Sequence, residues 1–96
     1  MTELNFNVTV TTDDTSGQVL SAYFQIRKGK VHETREFADG AAFADYNNRG
    51  ELIGIELLAP CRVTIVNQLA ANESPTVRQR TKKYMREAGP RWMVVS

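Results

Sequence analysis

Leu4, Phe6, Val8 and Val10 alternate with Asn5, Asn7, Thr9 and Thr11, a period of two that puts four apolar side chains on one face of a strand. Asp13, Asp14, Thr15, Ser16 and Gly17 follow as a polar turn. Between Val19 and Leu58 four further runs alternate apolar and polar residues, separated by Gly-containing turns, the pattern of a half-buried antiparallel sheet. The run Val19 to Arg27 places Leu20, Ala22, Phe24 and Ile26 on one face and Val19, Ser21, Tyr23, Gln25 and Arg27 on the other. Lys28-Gly29-Lys30 predicts a tight reversal into a third strand, Val31 to Phe37. That strand is strongly charged and weakly apolar, which predicts an edge, because charges there discourage pairing with another molecule. Asp39-Gly40 is a hairpin signal before Ala41 to Tyr46, and Asn47-Asn48-Arg49-Gly50 forms a longer loop. Leu52 to Leu58 is apolar on both faces and is expected at the centre of the sheet. Short turns between consecutive strands predict a meander, since a parallel crossover needs a dozen or more residues.

After Ala59-Pro60 the period becomes helical. Thr64 is the expected cap of a short helix in which Ile65, Val66, Leu69 and Ala70 share a face; the β-branched run Val63 to Val66 leaves a sixth strand as the alternative. The last helix is marked by Ser74 as N-cap, Pro75 at the first helical position, Gly89 after its end and Pro90 as a stop. Val77, Thr81, Tyr84, Met85 and Ala88 fall in one core-facing stripe. Arg78, Lys82 and Arg86 line up at i, i+4 and i+8, with Lys83 and Arg80 continuing round the exposed side. The predicted fold is therefore a single α+β domain over residues 1–96: a five-stranded, mainly antiparallel β-meander (1–58) and a C-terminal segment (59–96) whose two helices pack on one face.

Ninety-six residues, 42% hydrophobic and 24% charged, describe an ordinary globular domain with a small core. The charge is unevenly placed. Residues 1–56 carry five Lys/Arg and nine Asp/Glu, a balance of −4, while residues 57–96 carry seven and two, a balance of +5. Such asymmetry hints at an interaction surface, or at two halves that face each other. Cys61 is the sole cysteine, so no internal disulfide forms and a reducing compartment fits. No stretch reaches the roughly 18 consecutive apolar residues a membrane span needs, and a cytoplasmic location with no membrane association is expected.

The stretch from Tyr23 to Ala59 carries Gly29-Lys30-Val31, Thr34, Glu36, Gly40, Asp45-Tyr46, Gly50, Leu52 and the run Gly54-Ile55-Glu56-Leu57-Leu58-Ala59. On these residues it resembles the small bacterial family catalogued as domain of unknown function 2283. Asn47 stands where an acidic residue typically follows Asp-Tyr, and Ala59-Pro60-Cys61 replaces a small polar ending. The resemblance implies a small β-meander protein, some of whose relatives are candidate antitoxins. Its residues are sheet and turn residues and specify no chemistry.

No catalytic motif or nucleotide loop stands out. Asp45 and Glu56, in consecutive strands, form the best available carboxylate pair for acid/base chemistry, which needs two carboxylates in contrasting environments; two solvated residues on an open sheet face is the plainer reading. The acidic series Glu33, Glu36, Asp39, Asp45, Glu51 and Glu56 lacks the spacing of a calcium loop, and one His with one Cys makes a poor zinc set, so no metal or cofactor is expected. A Cys61–His32 dyad shares no motif; Cys61 reads as a small core residue and His32 as an exposed strand position.

The basic helix is the one concentrated candidate, with the apolar tail Arg91-Trp92-Met93-Val94-Val95 beside it. The expected function is a non-catalytic protein-interaction module, antitoxin-like in its sharpest form, binding a small partner protein through Arg78, Lys82, Lys83, Arg86 and Trp92 and self-associating as a dimer. The alternative is a nucleic-acid-binding regulator using the same helix. A small enzyme using Asp45 and Glu56 is a distant third.

Overall fold

A computed structural model describes residues 4–59 and 61–88. The alternating runs become five strands: β1 (Leu4–Thr12), β2 (Val19–Arg27), β3 (Glu33–Phe37), β4 (Ala42–Tyr46) and β5 (Leu52–Leu58). The helical runs become α1 (Val63–Ala70) and α2 (Pro75–Ala88). All four strand pairings are antiparallel, in the order β1-β2-β5-β4-β3. The α+β class, the antiparallel five-stranded sheet and the two C-terminal helices follow the sequence expectation.

The order is built from a β1-β2 hairpin and a β3-β4-β5 meander joined where β5 pairs with β2. Lys28-Gly29-Lys30 is therefore no tight reversal between paired strands. Lys28 to His32 instead carries the chain from β2 across the ends of β5 and β4 to the far edge. That crossing covers three strand spacings, about 14 Å, which five residues can span at about 3.3 Å each. The charge pattern explains the exchange of neighbours. Glu33, Thr34, Arg35 and Glu36 are all exposed in β3, so β3 suits the edge, whereas β5 is buried along most of its length and takes the central place.

Cross-strand register aligns the core in rows. Val8, Phe24, Ile55 and Ala44 lie side by side from β1 to β4, and Val10, Ala22, Leu57 and Ala42 form the next row. This face meets Ile65, Val66 and Leu69 of α1 and Val77 and Met85 of α2 in one continuous core. The small side chains of Ala22, Ala42 and Ala44, all buried, leave room for the helices' larger ones. Each fully buried aliphatic side chain contributes about 1.5–3 kcal/mol. Residues 63–66 are helical, which decides against a sixth strand.

α1 starts at Val63, so Thr64 lies inside the helix and Arg62, extended at φ −76° and ψ 117° with no side-chain cap bond, occupies the N-cap. Packing of an apolar face, not capping, sets where this helix begins. In α2 the expected cap is present: the Val77 N–H points at Ser74 Oγ (3.4 Å) and the Arg78 N–H donates to the Ser74 carbonyl (2.9 Å). Phe6 stacks on Tyr84 with ring centroids 5.3 Å apart, tying α2 to β1. Gly89, Pro90 and Trp92 lie outside the described residues. No helix among the described residues is long and apolar enough to cross a membrane.

Candidate functional site

The helix-free face of the sheet is polar at its centre. Register sets Asn7, Gln25, Gly54, Asp45 and Thr34 in one row across all five strands. Asn7 Nδ2 donates to Gln25 Oε1 (2.9 Å) at one end. At the other, Thr34 Oγ1 donates to Asp45 Oδ1 (2.6 Å). Tyr23 lies in the adjacent row and bridges the gap: its ring crosses Gly54 and its hydroxyl donates to Asp45 Oδ2 (2.9 Å). Burial, reinforced by Asp45, pushes the Tyr23 hydroxyl pKa well above its usual range.

Asp45 and Glu56 do come together, lining one shallow hollow of about 320 Å³ with Tyr23, Thr34 and Phe43. Both oxygens of Asp45 are occupied by the Tyr23 and Thr34 hydroxyls, so its carboxylate acts as the acceptor that fixes the row. The proposed dyad does not assemble at a common surface: His32 is exposed, whereas Cys61 is buried, its Sγ donating to the Leu57 carbonyl (3.4 Å) and its pKa pushed up by burial. The acidic series is dispersed into separate contacts, Glu33 with Arg35, Asp45 with Tyr23 and Thr34, and Glu51 with Arg27 and Arg49. Among the described residues no group of three or more His, Cys, Asp or Glu side chains converges.

Arg78, Lys82, Lys83 and Arg86 are exposed on α2, opposite its buried Val77, Thr81 and Met85. Among the described residues none of the four forms an ion pair. Two hollows of about 280 Å³ each lie along the groove between α1 and α2. One is lined by Asn67, Ala71, Arg78 and Lys82, the other by Asn67, Lys82, Met85 and Arg86, so Lys82 stands between them. Lys83 lies on the same exposed side without lining either hollow.

A further cluster went unseen in the sequence. Arg27, placed by alternation on the open face beside Tyr23 and Gln25, is only 3% exposed. Its register with Leu4 is offset by an irregularity in β1, and its guanidinium turns to the loop between the helices. Nη2 donates to Glu73 Oε1 (3.3 Å) and Nη1 lies 3.3 Å from Glu51 Oε2. Glu73 also accepts from the Leu52 N–H (3.4 Å). Arg27 Nε and Nη1 are buried without a hydrogen-bond acceptor among the described residues. Each unmet buried donor costs about 1–3 kcal/mol. The Glu51 carboxyl is held below its usual range first by the Asn47 amide and, against the opposing effect of burial, by Arg27. No spacing rule links Arg27 with Glu51 and Glu73, which lie far along the chain in two different loops, and on the polar face of Ser21, Tyr23 and Gln25 a terminal arginine carries no signal of burial.

Fold and surface together define a small α+β protein with a one-sided sheet, a cationic helical face and a buried arginine at one end of the sheet. Comparison with protein-family models, curated proteins and solved structures gave no match.

Proposed function

We propose that this chain is a non-catalytic protein-interaction module that holds an acidic segment of a partner protein in the α1–α2 groove. The observation that carries this reading is the pair of adjoining hollows that share Asn67 and Lys82, flanked by Arg78 and Arg86. Exposed cations that form no ion pair among the described residues keep their charge available to a ligand, and opposite charge across an interface speeds encounter and sets register. Ala71 and Met85 add apolar floor for the centre of such a contact. Lys83 extends the field on the exposed side, and the preference of a helix C-terminus for cations accounts for only the last of these residues, Arg86. An antitoxin-like role is one form of this reading, in which the acidic partner is a small protein that the complex neutralises.

The test is affinity capture from the protein's own host at moderate salt, with the wild type and an Arg78→Glu, Lys82→Glu, Arg86→Glu triple variant side by side. The expected result is one stoichiometric acidic protein retained by the wild type and lost by the variant. Retention by both removes α2 from the interface. Recovery of nucleic acid alone, released steeply with salt, replaces a protein partner with phosphate backbone.

A further inference from the structure

Beside Arg27, between the end of the sheet and the start of α2, lies a cleft of about 660 Å³, a volume within the usual range of small-molecule sites. We propose that this cleft binds a small organic anion, a carboxylate or phosphate head on a short apolar body, whose head takes the place that Glu51 now holds beside Arg27.

Three observations converge on it. Arg27 lines the cleft, is more than nine-tenths buried, and keeps two N–H groups without acceptors among the described residues. The 14-residue helix α2 starts at the same wall, where the Thr76 N–H has no acceptor among the described residues and the helix dipole favours negative charge. Arg80, one turn on from Thr76, lines the cleft too, its guanidinium over the Phe6 ring (5.8 Å to the centroid), so a second cation stands at the same wall. Val77 supplies apolar wall for the body of the ligand.

Glu51 is the internal occupant. It meets Arg27 Nη1 as an ion pair at 3.3 Å without satisfying that donor, while its other oxygen accepts from Asn47 (2.9 Å) and lies 3.6 Å from Arg49 Nε. Turning wholly to Asn47 and Arg49, Glu51 keeps a hydrogen bond and a cation and uncovers Nη1. Glu73 stays, held by the Leu52 N–H and Arg27 Nη2. Among the described residues the charged groups are then Arg27 and Arg80 against Glu73, and Glu51 offset by Arg49, with the helix terminus added on the positive side. Binding is thus an exchange of one anion for another.

The test is a nitrogen–proton NMR titration of the full chain with sodium hexanoate and, separately, sodium phosphate, at ionic strength held constant with sodium chloride. Saturating shifts are expected at the Arg27 Nε–H and the Thr76 and Val77 amides. Glu51→Gln removes the competing charge and is expected to tighten binding about fivefold, while Arg80→Gln weakens it by a similar factor. Both substitutions are at solvent-accessible side chains, and the remaining resonances report an intact fold. A response to hexanoate alone or phosphate alone supports the site and names its head group. The proposal is overturned by no saturating shift with either anion, by shifts centred on Arg78, Lys82 and Arg86, or by an affinity that Glu51→Gln fails to raise. Failure at this cleft leaves the α1–α2 groove untouched, because that groove is a separate surface, whereas shifts centred on Arg78, Lys82 and Arg86 would move the anion to it.

Discussion

Tyr23 lies across Gly54. A Cβ built on Gly54 would overlap the Tyr23 ring and hydroxyl, so the absent side chain of a central-strand glycine is what lets the tyrosine reach Asp45 in the next strand but one (2.9 Å). Glycine weakens a strand interior by itself, and an aromatic ring laid over it restores contact that the missing side chain cannot make. Gly54→Ala is therefore expected to swing Tyr23 off the sheet and break its hydrogen bond, at a cost of about 1–2 kcal/mol. Urea unfolding of Gly54→Ala, Tyr23→Phe and the double variant measures the coupling. Strictly additive losses would separate the two residues.

The same tyrosine sets an alkaline limit. Its pKa is raised in the fold by burial and then by Asp45, so the native state holds that proton at pH values where the unfolded chain has released it. The associated stability is complete below the ordinary tyrosine value of about 10 and drains away as pH rises beyond it. Tyr46 is shifted in the same direction by burial. Tyr23→Phe is expected to flatten the fall in melting temperature above about pH 10, leaving the slope due to Tyr46. An unchanged slope would place the alkaline sensitivity elsewhere.

Which parts of this architecture were legible depended on range. The edge position of β3 followed from its own charges, the central position of β5 from apolar residues on both faces, and the start of α2 from Ser74 and Pro75, all local signals. Strand order did not follow, because the pairing of β2 with β5 joins Tyr23 to Glu56, a contact that only competition between whole strands decides. The open-face row was partly legible: alternation put Tyr23 and Gln25 together, and Asp45 and Glu56 on one face, but the ring over Gly54 needed the register. Arg27 was misplaced for a different reason. Period-two reasoning assumes an unbroken ladder, and the irregularity near Leu4 in β1 breaks it just where Arg27 turns toward the helical layer.

Arg27 and Glu73 should behave as a buried pair. Glu73→Ala leaves a 3%-exposed guanidinium with Nη2 as well as Nε and Nη1 unmet and removes the acceptor of the Leu52 N–H. The expected loss is about 3–5 kcal/mol. Glu73→Gln keeps an acceptor for both donors and should cost less. Replacing both residues, Arg27→Met with Glu73→Gln, should recover much of the loss, since exchanging a buried pair for well-packed neutral groups is often close to neutral. Chemical denaturation of the three variants orders them. A double variant as unstable as Glu73→Ala would mean that the charges themselves organise this end of the sheet.

Thr81 offers the opposite sign. It sits on the core-facing side of α2, is buried, and its Oγ1 has no hydrogen-bond partner among the described residues. Valine has nearly the same shape and a similar helix propensity, and it replaces an unsatisfied hydroxyl with a methyl group that gains from burial in the same space. Thr81→Val is expected to stabilise the fold by about 1 kcal/mol, raising the urea midpoint without changing the slope of the transition. Thr81→Ser, which keeps the hydroxyl and deletes the methyl, should destabilise. Should valine lower the midpoint, the Thr81 hydroxyl must hold a partner in solution, with a buried water the first to seek.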